Sequence, residues 1–195
     1  MTAQFQDRFT LRGRGLDIAG VSGQRLFDPQ QFGLQPVSNC TACWNGYLCY
    51  YALQDQYLVL DKLHVNLFQP HLQWERETGP VIQGVAPVDP GRDGWFNNVY
   101  HDLSLLVSYS GGLLCTDGFI QKYYAHMGFH PAWKYEYVAE LLFEDGRLCD
   151  EQDRSLSMAA VRQRVDANQK AGSSGNALDI ETQVLMRSSF DCHYF

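Results

Sequence analysis

Apolar and polar residues alternate with a period of two through much of this chain, and the longest such run lies at its centre. Trp133, Tyr135, Tyr137, Ala139, Leu141 and Phe143 alternate there with Lys134, Glu136, Val138, Glu140, Leu142 and Glu144. Successive side chains on a strand point to opposite sides, so the run predicts a strand with one apolar face and one mostly charged face. Asp145 and Gly146 then turn the chain back through Leu148. Phe9 and Leu11 begin a similar pattern, and after Gly13 and Gly15 the apolar parity moves to Leu16 and Ile18, which predicts a bulge or a tight turn. Tyr47, Cys49, Tyr51 and Leu53 predict a strand that turns at Gln54, Asp55 and Gln56 into a second strand over 57–67. Its apolar parity flips near Asp61 and Lys62, again the mark of a bulge. Leu103, Leu105, Val107 and Tyr109 continue the series, Ser110, Gly111 and Gly112 turn the chain into 113–115, and Leu178, Ile180, Thr182, Val184 and Met186 make a last strand.

Two stretches carry helical spacing instead. Over 118–127, Phe119, Ile120, Tyr123, Tyr124 and Met127 recur on one face, with Asp117 placed to cap the start and Gly128 to close the end. A second helix starts at Ser155 or Ser157 and ends at Gly172, with Met158, Val161 and Val165 inward, before a short flexible link over 172–175. Asp28 and Pro29 open a single turn that Gly33 closes. The irregular segment 69–98, rich in proline and glycine, supplies one short strand near 81–88 and otherwise forms a loop that presents Trp74 and Trp95. These elements predict a mainly β (α+β) chain: a curved antiparallel sheet or β-barrel with one central capping helix and one C-terminal helix, in a single domain over 1–195. The order of a helix before a final strand is similar to that of lipocalin-type barrels. The glycine-any-tryptophan motif of their first strand is absent here, and the resemblance carries no residue across.

Composition narrows the partners. At 195 residues, with 45% hydrophobic and 19% charged, the chain can bury a core without metal or disulfide support. The formal charge is −7, and Glu136, Glu140, Glu144, Asp145, Asp150, Glu151 and Asp153 crowd one stretch against Arg147 alone. Such a stretch repels a phosphate backbone, so nucleic acid is not the expected partner. No apolar run reaches membrane-spanning length and no signal-type segment follows Met1, which leaves the cytoplasm as the expected compartment and no membrane as a partner. Six irregularly spaced cysteines are expected to be reduced thiols.

Three constellations hold candidate chemistry. Cys40 and Cys43 have the spacing of half a zinc site, and His126 with His130 is the second pair on offer. Asp117, Lys122 and His126, with His130 close in sequence, form a trio that could serve acid-base chemistry if it converged on one helix face. Trp133, Tyr135 and Tyr137, with Tyr123 beside them, form either a pocket for an apolar or planar ligand or a sheet core. No dinucleotide, phosphate-loop or nucleophile-elbow motif is present, so no cofactor is implied.

The favoured functional expectation is a non-catalytic binding protein that meets a basic protein surface through Glu136, Glu140, Trp74 and Trp95. The alternatives are a small-ligand barrel for an apolar molecule and an enzyme built on His126, Lys122 and Asp117.

Overall fold

The computed structural model describes residues 2–69, 75–91, 94–126 and 128–170. Among the described residues nine strands make one curved sheet: β1 (Arg8–Leu11), β2 (Arg14–Val21), β3 (Tyr47–Gln54), β4 (Tyr57–Val65), β5 (Asn98–Tyr100), β6 (Leu105–Leu106), β7 (Gly111–Phe119), β8 (Tyr135–Glu144) and β9 (Arg147–Asp153). One α-helix, α1 (Ser155–Lys170), follows them. The strand expected over 178–186 and the link over 172–175 lie outside the described residues.

Turn chemistry sets the hairpins. The residue pairs Arg12 and Gly13, Asp55 and Gln56, and Asp145 and Gly146 all take positive φ. Two-residue turns of this kind match the right-handed twist of the strands that they join. The parity switch at Gly13 is therefore a tight turn between β1 and β2. The flip near Asp61 is a bulge, since the β3–β4 register shifts between Tyr50, opposite Lys62, and Tyr51, opposite Leu60.

The sheet runs in the order β3, β1, β2, β7, β8, β9, β4, β5, with β3 also paired to β4. It thus curls back on itself. The β9–β4 link is narrow, consisting of Tyr57 opposite Arg147 and the flanking bonds from the Leu58 N–H to the Gly146 carbonyl and from the Leu148 N–H to the Gln56 carbonyl. The expected curved, mainly β sheet is present, antiparallel in its strand pairings except for the parallel pairing of β1 with β3, which makes it mixed.

Alternation decides what fills the concave side. Phe9, Leu16, Tyr51, Leu60, Leu113 and Leu141, from six different strands, meet in one buried cluster. The opposite side of β7 and β8 turns Leu114 and Val138 outward, where Met158, Val161 and Val165 of α1 cover them. Asp153 accepts the Ser155 N–H at 2.8 Å, and Ser155 Oγ accepts the Val138 N–H at 3.1 Å, so the start of the helix is tied to the strand it covers. Met158 is fully buried there, and Met158→Ala is expected to destabilise the fold by about 2–5 kcal/mol, read as a lower urea midpoint at unchanged slope.

The helix expected over 118–127 does not form. Strand β7 instead runs on to Phe119, which pairs with Tyr135, and only the 3-10 turn Gln121–Tyr123 follows. Aromatic packing overrides the helical spacing: Phe119 meets Tyr135 edge-on at 5.3 Å, and Tyr123 meets Trp133 at 4.9 Å. In the segment 69–98 no strand forms over 81–88, where Ile82 bridges Val85 and Val88 makes an isolated antiparallel bridge with Val99 of β5. Among the described residues no helix is long and apolar enough to cross a membrane, and Cys40, Cys43, Cys49, Cys115 and Cys149 form no disulfide.

Candidate functional site

The residues singled out by sequence disperse over the molecule. Asp117 takes two hydrogen bonds from Arg14, at 3.1 and 2.7 Å, which hold its carboxyl below the usual range. Lys122 pairs with Asp166 at 3.0 Å. His126 contacts the Tyr124 hydroxyl through Nδ1 at 3.2 Å. The trio therefore does not converge, because each member of it has been drawn to a different neighbour.

Cys40 and Cys43 fare similarly. The Cys43 thiol donates to the Tyr47 carbonyl at 3.3 Å, and among the described residues no group of three His, Cys, Asp or Glu is arranged to hold a metal ion.

The aromatic series also divides. Trp133 and Tyr123 pack beneath α1, whereas Tyr137 faces the concave core with the Arg14 guanidinium 4.1 Å from its ring centre. Of the residues expected at a partner surface, Glu136 is exposed and Trp95 is 64% exposed, while Trp74 lies outside the described residues. Glu140 is fully buried, with Arg154 Nε and Nη2 both 2.7 Å from its Oε2. The acidic side of β8 is consequently not one continuous solvent face: Glu140 is an internal charge beneath the corner from β9 to α1.

Tyr135 leads to a different place. Its hydroxyl donates to Gln6 Oε1 at 2.5 Å, and Gln6 Nε2 donates to the His130 carbonyl at 2.7 Å. These contacts draw the N-terminal arm, residues 3–7, across the convex side of the sheet. Beside the arm lies an open cleft of about 670 Å³ lined by Phe5, Arg8, Tyr50, Phe119, Tyr124 and His130, among others. A neighbouring hollow of about 380 Å³ shares Phe5, Leu48 and Tyr50 with it and adds His64, Trp95 and Phe96. Phe5 meets Trp95 edge-on at 5.8 Å, and His64 lies between Tyr50 at 4.8 Å and Phe96 at 5.6 Å.

Both imidazoles in this region are shifted towards the neutral form. Burial drives His64 down to about 4, helped by Lys62 and His101, and burial followed by Lys134 lowers His130. Neither ring nitrogen of His130 has a hydrogen-bond partner among the described residues, and the ring is packed between Phe119 at 4.7 Å and Tyr124 at 5.4 Å. Arg8 supplies the positive charge, with Nη1 2.5 Å from Asp17 Oδ1. Burial raises Asp17 in spite of that partner, and burial raises the Tyr50 phenol. The region thus brings together aromatic faces, two imidazoles and the Arg8–Asp17 ion pair.

Sequence reasoning missed Phe5, Gln6, Arg8, Tyr50, His64, Phe119 and Tyr124 as neighbours. Tyr50, Lys62 and His64 all sit on the outward parity of the hairpin from β3 to β4, a polar-aromatic face visible in the alternation. What crosses that face was not visible, because the arm and the 119–130 loop arrive from distant parts of the chain. Comparison of this chain with protein-family models, with curated proteins and with solved structures finds no match in any of the three.

Proposed function

We propose that this is a non-catalytic binding protein that takes a planar aromatic or conjugated small molecule in the convex-side cleft beside the N-terminal arm. One observation carries the reading: a cleft of about 670 Å³ in which Phe5, Tyr50, Phe119 and Tyr124 present ring surfaces around a few convergent polar groups, Arg8, Gln6, Tyr135 and the unpartnered His130. That volume falls in the range of ligand sites, and their usual composition is apolar walls with a small number of orienting polar atoms. The concave side, where a barrel-type ligand would lie, is filled by Phe9, Tyr51, Leu60 and Leu113.

Arg8 gives the ligand a polarity. An anionic substituent near Arg8 takes a charge-assisted hydrogen bond in competition with Asp17, its partner in the same cleft, while the ring system stacks towards Tyr124 and Phe119. Native mass spectrometry of freshly purified protein is expected to retain a small molecule. Titration with 2-naphthoate is expected to quench tryptophan fluorescence saturably, with at least tenfold weaker binding in Tyr124→Ala. Absence of both a retained molecule and saturable quenching refutes the reading.

A further inference from the structure

Asp7 occupies an unusual position at the end of the N-terminal arm. Its Oδ1 accepts the Cys49 N–H at 2.8 Å, and its main-chain carbonyl accepts the Ile18 N–H at 2.8 Å, so the residue is fixed between β2 and β3. Among the described residues no lysine or arginine forms an ion pair with it. An anion held in partly apolar surroundings without a cation is an expensive feature of a fold, and it calls for an opposite charge.

Asp7 is among the residues lining a second hollow of about 240 Å³, which shares Gln4, Phe5 and Gln6 of the arm with the Arg8 cleft but does not include Arg8. Tyr47, Cys43 and Ile18 contribute to its walls, and Phe5, Val21, Trp44 and Phe129 line it as well. Those last four are 37–56% exposed, an uncommon gathering of large apolar side chains left open to solvent.

The chain fixes this rim by hydrogen bonds. Gln4 Oε1 accepts the Trp44 N–H at 3.0 Å, and Gln4 Nε2 donates to the Thr41 carbonyl at 2.8 Å. The Phe5 N–H donates to the Ala42 carbonyl at 2.8 Å, and the Gln4 N–H to the Gly128 carbonyl at 2.9 Å. Loop 40–46 and the segment bearing Phe129 are thereby lashed to one strand of chain. The irregularity in β2 between Ile18 and Gly20 lies in the same wall, a place where bulges commonly re-aim side chains.

We propose that this hollow binds a small organic ammonium ion, its charge against the Asp7 carboxylate and its apolar part against Trp44, Phe129 and Tyr47. Aromatic faces attract cations through the ring quadrupole, and the pairing with Asp7 is strengthened where water is partly excluded. A hard metal ion fits less well, since calcium takes six to eight oxygen ligands and this wall offers one carboxylate. The site differs in charge from the adjoining cleft at Arg8: there Arg8 is paired with Asp17, whereas among the described residues no lysine or arginine forms an ion pair with Asp7.

Calorimetric titration of the full chain at pH 7.5 with benzylamine, protonated at that pH, and with benzyl alcohol, its neutral analogue, tests the proposal. Benzylammonium is expected to bind saturably and at least tenfold more tightly than the alcohol. Asp7→Asn keeps an oxygen for the Cys49 N–H and is expected to weaken the amine at least tenfold, with the alcohol unaffected. Trp44→Ala, on the exposed rim, is expected to weaken the amine several-fold and decides the matter if the Asp7 variant does not fold. Equal binding of amine and alcohol, no saturable amine binding, or full amine affinity in Asp7→Asn would each overturn it.

Discussion

Asparagine in place of Asp7 is expected to make the protein more stable at neutral pH. Burial raises the Asp7 carboxyl from 3.8 to about 6, partly opposed by the Cys49 N–H. A raised acid favours the native state only while it is protonated. Below 3.8 both folded and unfolded chains carry the proton and nothing is lost. As pH rises towards 6 the unfolded chain ionises first, and native stability falls. Above 6 the whole penalty is present, at most about 3 kcal/mol from the size of the shift. Asp7 opens onto the 240 Å³ hollow, so solvent softens this penalty and a gain of about 1–3 kcal/mol is expected for Asp7→Asn at pH 7.5. The difference should shrink to about a third of that by pH 4.5. The thiols of Cys43 and Cys49 and the Tyr47 phenol, all pushed upward by burial, stay uncharged over this interval and do not contribute to the trend. Urea unfolding of both proteins at the two pH values measures it. A variant no more stable than the parent at pH 7.5 would show that Asp7 has a compensating partner. A stabilising substitution that removes ammonium binding would place Asp7 among residues whose stability cost accompanies a site.

The largest loss is expected from Glu140→Ala. Glu140 is fully buried and the Arg154 side chain is 15% exposed, so truncating the acid leaves a guanidinium with little water and without its carboxylate. Breaking one side of a buried pair typically costs about 3–5 kcal/mol. For a chain of this length, that is a fall in melting temperature of about 6–20 °C. Replacing both residues together by apolar side chains of similar volume is expected to be much milder, because no buried charge is then left uncompensated. Calorimetric melting of the single and double variants distinguishes the cases. A single variant that melts within 2–3 °C of the parent, about 1 kcal/mol, would mean that water reaches the corner from β9 to α1. It would also return Glu140 to the surface role that its place in the alternation suggested.

Local chemistry was legible wherever the answer depended on neighbours in sequence. The turns at Gly13, Asp55 and Asp145, the bulge opposite Tyr50, the 3-10 turn Pro29–Phe32 capped by Asp28 and closed by Gly33, and α1 with Met158, Val161 and Val165 inward all appear where their residues placed them. The segment 118–127 misled because aromatic residues at helical spacing also suit a strand end that packs against Trp133 and Tyr135. Gly118 takes positive φ there within β7. Propensity over so short a stretch is weak against several buried ring contacts.

Sequence alone determined that this protein is a strand-built molecule, with the turns that join β1 to β2, β3 to β4 and β8 to β9 and much of the inward set of side chains, because a period of two and the φ demands of tight turns are properties of adjacent residues. Only the tertiary structure decided which charges are buried and where clefts lie. Glu136 and Glu140 are equivalent in the alternation, yet one is solvent-exposed and the other lies beneath a helix corner. Asp7 and Arg8 are neighbours in the chain, yet they line different hollows. Those outcomes depend on which distant segments cross a given face, and desolvation, the term that separates an inert charge from a functional one, is set by that crossing.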